Sequence, residues 1–227
     1  MIRLGLSDTI TVCLFDLDGV LTDTASVHRE AWKQMFEDAG YGPFSADDYN
    51  EHVDGKPREA GVRAFLSARG EEASDDLVKQ LGDRKNDLVQ EVLDRDGVKV
   101  YDGSVRYVRA VRDAGLRRAV VSSSANTQHV LQAANMLDLF EHIVDGNTIA
   151  AEGLSGKPAP DTFLAGARHF GAEPAAAAVF EDALAGVEAG RAGRFGCVIG
   201  VDRVGHATAL ADHGADRVVA DLAELLT

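Results

Sequence analysis

The chain has 227 residues, 45% of them hydrophobic, enough to bury the core of one large domain or one and a half. Its 23 Lys+Arg against 37 Asp+Glu give a net charge of -14, which argues against a nucleic-acid-binding surface and leaves any anionic substrate to local cations. No apolar run approaches bilayer-spanning length and MIRLGLSDTI carries no leader pattern, so the expectation is a cytoplasmic chain with no membrane partner.

The first element is the apolar run Ile10, Val12, Cys13, Leu14 and Phe15, a buried strand. Asp16 and Asp18 follow it within DLDGVLTDT. Two residues apart, they point the same way in extended chain and repel unless a cation or a shared proton intervenes. The bland alternative is an Asp-Gly turn. From Ala25 to Arg95 the pattern turns helical, through Val27, Ala31, Trp32, Met35 and Phe36, then Val62, Phe65 and Leu66, then Leu77, Leu81, Leu88 and Val92. This predicts an all-helical insert of three or four helices after the first strand. Asp102-Gly103 is read as the return to the sheet.

Further strand-like runs follow at Ala119–Val121, Ile143–Val144, Ala177–Phe180, Cys197–Val201 and Arg217–Ala220, alternating with helical patterns. The expected fold is α/β: a Rossmann-like parallel sheet core, residues 1–24 and 96–227, with a helical cap domain at 25–95. Cys13 and Cys197 lie inside strand runs and read as inert core residues.

Ligands of open parallel sheets sit beyond the carboxyl ends of the strands. There this chain places Asp16 and Asp18, then Ser122, Ser123, Ser124 and Asn126, then Glu181 and Asp182. Lys157, before a Pro158 suited to a first helical turn, completes a set expected to converge on one rim. Individually, the serines could cap a helix, the acids could favour a helix N-terminus and the lysine could be merely exposed.

In this order the residues resemble those of the haloacid dehalogenase superfamily, in the subgroup with a helical cap inserted after the first motif. The resemblance implies a nucleophile at Asp16, a general acid/base at Asp18, phosphate-binding groups at Ser122 and Lys157, and Mg²⁺ held by Asp16, the main-chain carbonyl of Asp18, Asp182 and Glu181. DLDGVLTDTASVHREAW, Asp16 to Trp32, is similar to the opening of the β-phosphoglucomutase-like members and marks His28 and Trp32 as substrate-facing. Lys85, on the apolar stripe of its helix, either snorkels to water or faces a cleft; Arg84-Lys85-Asn86 resembles the subgroup's cap lysine motif. Arg58, in the run Gly55-Lys56-Pro57-Arg58, matches its remote-phosphate arginine, with Gly55 and Lys56 in the substrate loop.

Two departures stand out. Ala125 occupies the place of a lysine, and Lys56-Pro57 replaces small residues. The resemblance implies a monomeric, Mg²⁺-dependent enzyme of the β-phosphoglucomutase type acting on a small phosphosugar through an aspartyl-phosphate. A sugar-phosphate phosphatase is the alternative, and a non-catalytic protein on the same fold a remote one.

Overall fold

The computed structural model of the protein describes residues 3–227. Six parallel strands form one sheet in the order β3-β2-β1-β4-β5-β6. They are β1 (Val12–Phe15), β2 (Arg117–Val121), β3 (His142–Val144), β4 (Ala177–Glu181), β5 (Cys197–Val201) and β6 (Arg217–Val219). All six strand runs expected from the sequence are present, with ends shifted by up to two residues. Helices cover both faces, so β1 is buried at every position rather than alternating with polar residues. The pleat still divides it: Cys13 and Phe15 enter one apolar cluster, Val12 and Leu14 the other. Phe15 stacks on Phe180 of the neighbouring strand, ring centroids 4.4 Å apart.

Register positions the chemistry. Phe15 pairs with Val120 on one side and Phe180 on the other, so Asp16 comes level with Val121 and Glu181 at the carboxyl edge.

Between β1 and the rest lie α1 (Ala25–Asp38), a short α2 (Ala46–Asp48) running into a π-helical turn (Tyr49–Val53), α3 (Arg58–Ala68) and α4 (Asp75–Asp96). Trp32, Met35 and Phe36 of α1 face the apolar stripe of α4, which Ser74 caps by accepting the Leu77 amide at 3.3 Å. A ring cluster of Phe36, Phe44 and Phe65 fills the insert's centre. The two segments joining insert to sheet run side by side: Thr22 bridges Val100 in antiparallel fashion and the Asp23 amide donates to the Lys99 carbonyl at 2.9 Å.

Asp102-Gly103 does not lead straight into the sheet; it opens α5 (Asp102–Asp113). The chain leaves the insert beside the carboxyl end of β1 and must travel back to the opposite edge before a parallel strand can begin. The core continues with α6 (Thr127–Ala133), α7 (Gly146–Glu152), α8 (Asp161–His169), α9 (Leu184–Ala192) and α10 (Ala207–Asp212). Pro158 also departs from expectation, because α8 starts only at Asp161 and residues 156–159 form a turn that points Lys157 inward. Cys13 is buried and Cys197 half-buried, both unpaired. Among the described residues no helix is long and apolar enough to cross a membrane.

Candidate active site

Beyond β1 the chain folds back at once. The Leu17 carbonyl accepts the amides of Leu21 and Thr22, and Gly19 adopts φ 82°. A β-carbon at Gly19 would fall 1.7 Å from Asp182 Oδ2, so this turn accepts only glycine while Asp182 stands against it. Asp18 is fixed from its own segment: Thr24 Oγ1 donates to its carboxylate, and Thr22 and Thr24 share a 2.7 Å hydrogen bond.

Lys157 reaches the centre of this arrangement. Its ammonium lies 2.5 Å from Asp16 Oδ1 and 2.5 Å from Glu181 Oε1, and donates to the Val121 carbonyl at 3.1 Å. Asp16 is 6% exposed, a buried group and not the open rim position expected from the sequence. Burial opposes charge on Lys157, but Asp16 and Glu181 outweigh it and hold the ammonium protonated above its ordinary range. Burial, with Glu181 and Asp18, raises the Asp16 carboxyl well above its usual value against the pull of Lys157. Burial likewise raises Asp182, with Asp54 the foremost neighbouring charge.

Two carboxylates thus share one ammonium, and a third stands beside them. Asp16, Glu181 and Asp182 offer oxygens all within 4.8 Å of one another. Glu181 Oε2 accepts the Ala183 amide at 3.0 Å, whereas Oε1, though close to Lys157, has no aligned hydrogen-bond partner. An oxygen-only donor set of three carboxylates beside a single ammonium carries excess negative charge and fits a hard divalent cation such as Mg²⁺.

A cavity of about 370 Å³ opens above these residues, between the sheet edge and the insert. That volume suits a small-molecule ligand. Asp16, Asp18, Ser122 and Asp182 line its floor; His28, Trp32, Lys85 and Arg58 come from the insert. Lys157 and Glu181 stand behind the floor rather than on its surface. His28 spans the gap, with Nε2 3.5 Å from Asp18 Oδ1 and Nδ1 2.9 Å from Lys85 Nζ. Lys85 is buried over the Trp32 ring, 5.0 Å from its centroid, which rejects the snorkelling alternative. Burial and Arg58 lower it to about 7 despite Asp18, and burial with Lys85 lowers His28 to about 4.

The serine loop meets the insert directly. Ser122 Oγ accepts the Ser124 amide at 3.1 Å, and Ser123 Oγ donates to the Gly55 carbonyl at 2.8 Å. Asn126 donates to Asn86 Oδ1 at 2.9 Å. Arg58 lies 3.5 Å from Asp83. Lys56 lines the cavity, yet its ammonium donates to the Glu51 carbonyl at 2.7 Å.

Sequence reasoning overlooked several lining residues, among them Tyr49, Asp54 and Asn147. Asp54 had a readable signal, since Asp54-Gly55 follows a buried valine much as Asp18-Gly19 follows a leucine. Burial, with Glu181 and Asp18, pushes its carboxyl up to about 6, while Tyr49 and Arg29 work the other way.

Comparison with known proteins agrees with this geometry. The family model of haloacid dehalogenase-like hydrolases matches residues 10–194. A β-phosphoglucomutase of Mycobacterium bovis is 52% identical over 98% of this chain and 94% of its own length. A β-phosphoglucomutase of Bacillus subtilis is 35% identical over 82% of each. The crystal structure of β-phosphoglucomutase from Clostridium difficile superposes with a TM-score of 0.81 at 25% identity, covering 95% of this chain and 93% of that one. The chain belongs to the haloacid dehalogenase-like hydrolases, in the β-phosphoglucomutase-like subgroup, and is an enzyme of that phosphoryl-transfer family.

Proposed function

We propose that the protein is a Mg²⁺-dependent β-phosphoglucomutase, converting β-glucose 1-phosphate to glucose 6-phosphate. The observation that carries this reading is a cavity with two chemically distinct walls. One presents Asp16, Asp18 and Ser122 backed by Lys157; the other presents the cationic and aromatic groups of the insert. A sugar with a phosphate at either end fits between them, and the 52% identical relative bears the same activity in its name. In this reading residues 25–95 are a cap closing on a core of residues 1–24 and 96–227.

Asp16 is assigned as the nucleophile. Its carboxylate attacks phosphorus, the P–O bond to the sugar breaks, and Asp18 protonates the departing oxygen, leaving an aspartyl-phosphate. When the sugar cleaved is the 1,6-bisphosphate, glucose 6-phosphate departs; Asp18 then takes the proton of the 6-hydroxyl of β-glucose 1-phosphate, which attacks the aspartyl-phosphate, frees Asp16 and regenerates the bisphosphate. Lys157 and Ser122 hold charge on the transferring oxygens, while Arg58, Lys85, Ser123, Ser124 and Asn126 orient the remote end. Asp16, Asp182, the Asp18 carbonyl and, in support, Glu181 would hold Mg²⁺, which would offset the negative charge of nucleophile and phosphate. His28 keeps its neutral form, Nε2–H toward Asp18 and Nδ1 toward Lys85, and so ties cap to acid/base.

The second reading, a sugar-phosphate phosphatase, draws on Ala125 and on the engagement of Lys56 with Glu51, which leave fewer free cations at the remote end. Phosphorus NMR separates the two. With Mg²⁺, β-glucose 1-phosphate and catalytic glucose 1,6-bisphosphate, a mutase yields mainly glucose 6-phosphate; stoichiometric inorganic phosphate without that isomer selects the phosphatase.

A further inference from the structure

Arg203, in the loop after β5, binds parts of the molecule that the reaction must keep in register. Nε donates to the Gly19 carbonyl at 3.0 Å, and Nη2 to the Val20 carbonyl at 3.4 Å and Ser104 Oγ at 3.2 Å. Nη1 donates to the Ala220 carbonyl at 2.7 Å and Asp221 Oδ2 at 3.1 Å. Two of these acceptors directly follow Asp18 in the chain. The guanidinium also lies over Tyr101, 3.6 Å from the ring centroid. Tyr101 belongs to the segment returning from the insert, and its hydroxyl donates to Asp23 Oδ1, on the outgoing segment, at 3.1 Å.

The base of this contact is held by its own loop. Asp202 accepts the amides of Val204, Gly205, His206 and Ala207, which fixes the loop carrying Arg203. Beside the two connecting segments lies a cavity of about 100 Å³, lined in part by Tyr49, Asp54, Tyr101, Asp182 and Arg203.

We infer that Arg203 is a positioning residue that couples the neck of the insert to the loop bearing Asp18, so that a shift of Tyr101 is felt at the carbonyls of Gly19 and Val20. Five donors in a rigid fork make this possible, and a lysine ammonium cannot reproduce it. The inference rests on the reading of Asp16–Val20 as the catalytic loop.

The test uses Arg203→Lys, Tyr101→Leu and the double variant, assayed on p-nitrophenyl phosphate and on β-glucose 1-phosphate with kcat and KM resolved. Arg203→Lys should lower kcat on both substrates by about 10- to 100-fold, the effect of a displaced reacting group. KM for the sugar phosphate should stay within about threefold of the parent, because the substrate-binding groups are untouched. Tyr101→Leu should lower kcat less, and the double variant should fall within about twofold of Arg203→Lys, since both act along one path. Unchanged kcat in folded Arg203→Lys, or losses that simply multiply, overturns the coupling. Should Arg203→Lys fail to fold, Tyr101→Leu decides alone, and parental kcat in it overturns the inference. Failure of the mutase reading looks different: the parent protein releases phosphate without isomerising the sugar, and the p-nitrophenyl phosphate comparison still stands.

Discussion

Pro57 of the insert occupies the space in which a side chain on Gly156 would lie. A β-carbon at Gly156 would come within 2.2 Å of Pro57 Cγ, so the insert's loop rests on the residue just before Lys157. Gly156→Ala is therefore expected to push that loop away without touching the ion cluster. Turnover of a sugar phosphate should fall by about 10- to 100-fold through lost positioning. Cleavage of p-nitrophenyl phosphate, which needs the core alone, should change far less. Adding Pro57→Ala should restore much of the difference. Equal losses on both substrates, with no rescue, would reject this seat as the cause.

Asp16→Asn should abolish turnover. Lys157 keeps Glu181 and the Val121 carbonyl as partners in that variant, so thermal unfolding should remain cooperative. Asp18→Asn should bind Mn²⁺ as the parent does, since its proposed ligand is a main-chain carbonyl, yet lose proton transfer. Substantial activity in purified Asp16→Asn sinks the covalent mechanism.

Lys85 gives a pH-dependent stability with a defined sign. Burial lowers it to about 7 from its ordinary 10.5, so between those values the unfolded chain binds the extra proton. Its contribution to stability is least favourable below about 7 and improves as pH rises toward 10. Lys85→Met should stabilise the fold near pH 6, on the order of 1–4 kcal/mol, with the gain shrinking at pH 9. Denaturant melts at both values check this; a gain that grows with pH refutes it. Together with Arg58→Ala, the same change should weaken sugar-phosphate turnover far more than p-nitrophenyl phosphate cleavage.

Burial and neighbouring carboxylates hold the carboxyls of Asp16 and Asp182 well above their usual range. A divalent cation favours their ionised forms, so binding Mg²⁺ should release protons and weaken as pH falls. Calorimetry in buffers of different ionisation enthalpy measures that release directly. Proton uptake, or affinity that improves on acidification, contradicts the assigned ligands.

The sheet was legible in the sequence because its strands are short, apolar and buried on both faces, and Asp16, Asp18, Ser122, Glu181 and Asp182 because they stand at the ends of such strands, whereas Lys157 comes from a turn between two helices. Asp16, Ser122 and Glu181 inherit their places from strand register. The insert's contributions were harder to read. Lys85 could be placed on an apolar stripe but not aimed, because whether it snorkelled or met His28 depended on how two helices pack. Asp54 was missed despite its Asp-Gly pair, because the π-helical turn before it carries no periodic signal, and Arg203 because its partners lie up to 184 positions away in sequence. Lys56 was placed in the substrate loop, yet its ammonium meets the Glu51 carbonyl, a local contact that no composition argument anticipates.

The paired crossing at Thr22 and Val100 also sets a mechanical scale. Everything from α1 to α4 hangs from two adjacent strands of chain, and α4 alone has 22 residues. At 1.5 Å per residue that helix is about 33 Å long, so a rotation of about ten degrees at the crossing sweeps its far end through roughly 6 Å. That is the width of a sugar ring. Under the proposed cap reading, a turn of this size would open and shut a substrate-sized gap while the hydrogen bonds inside each half stay intact, with its gearing in the few residues of the crossing.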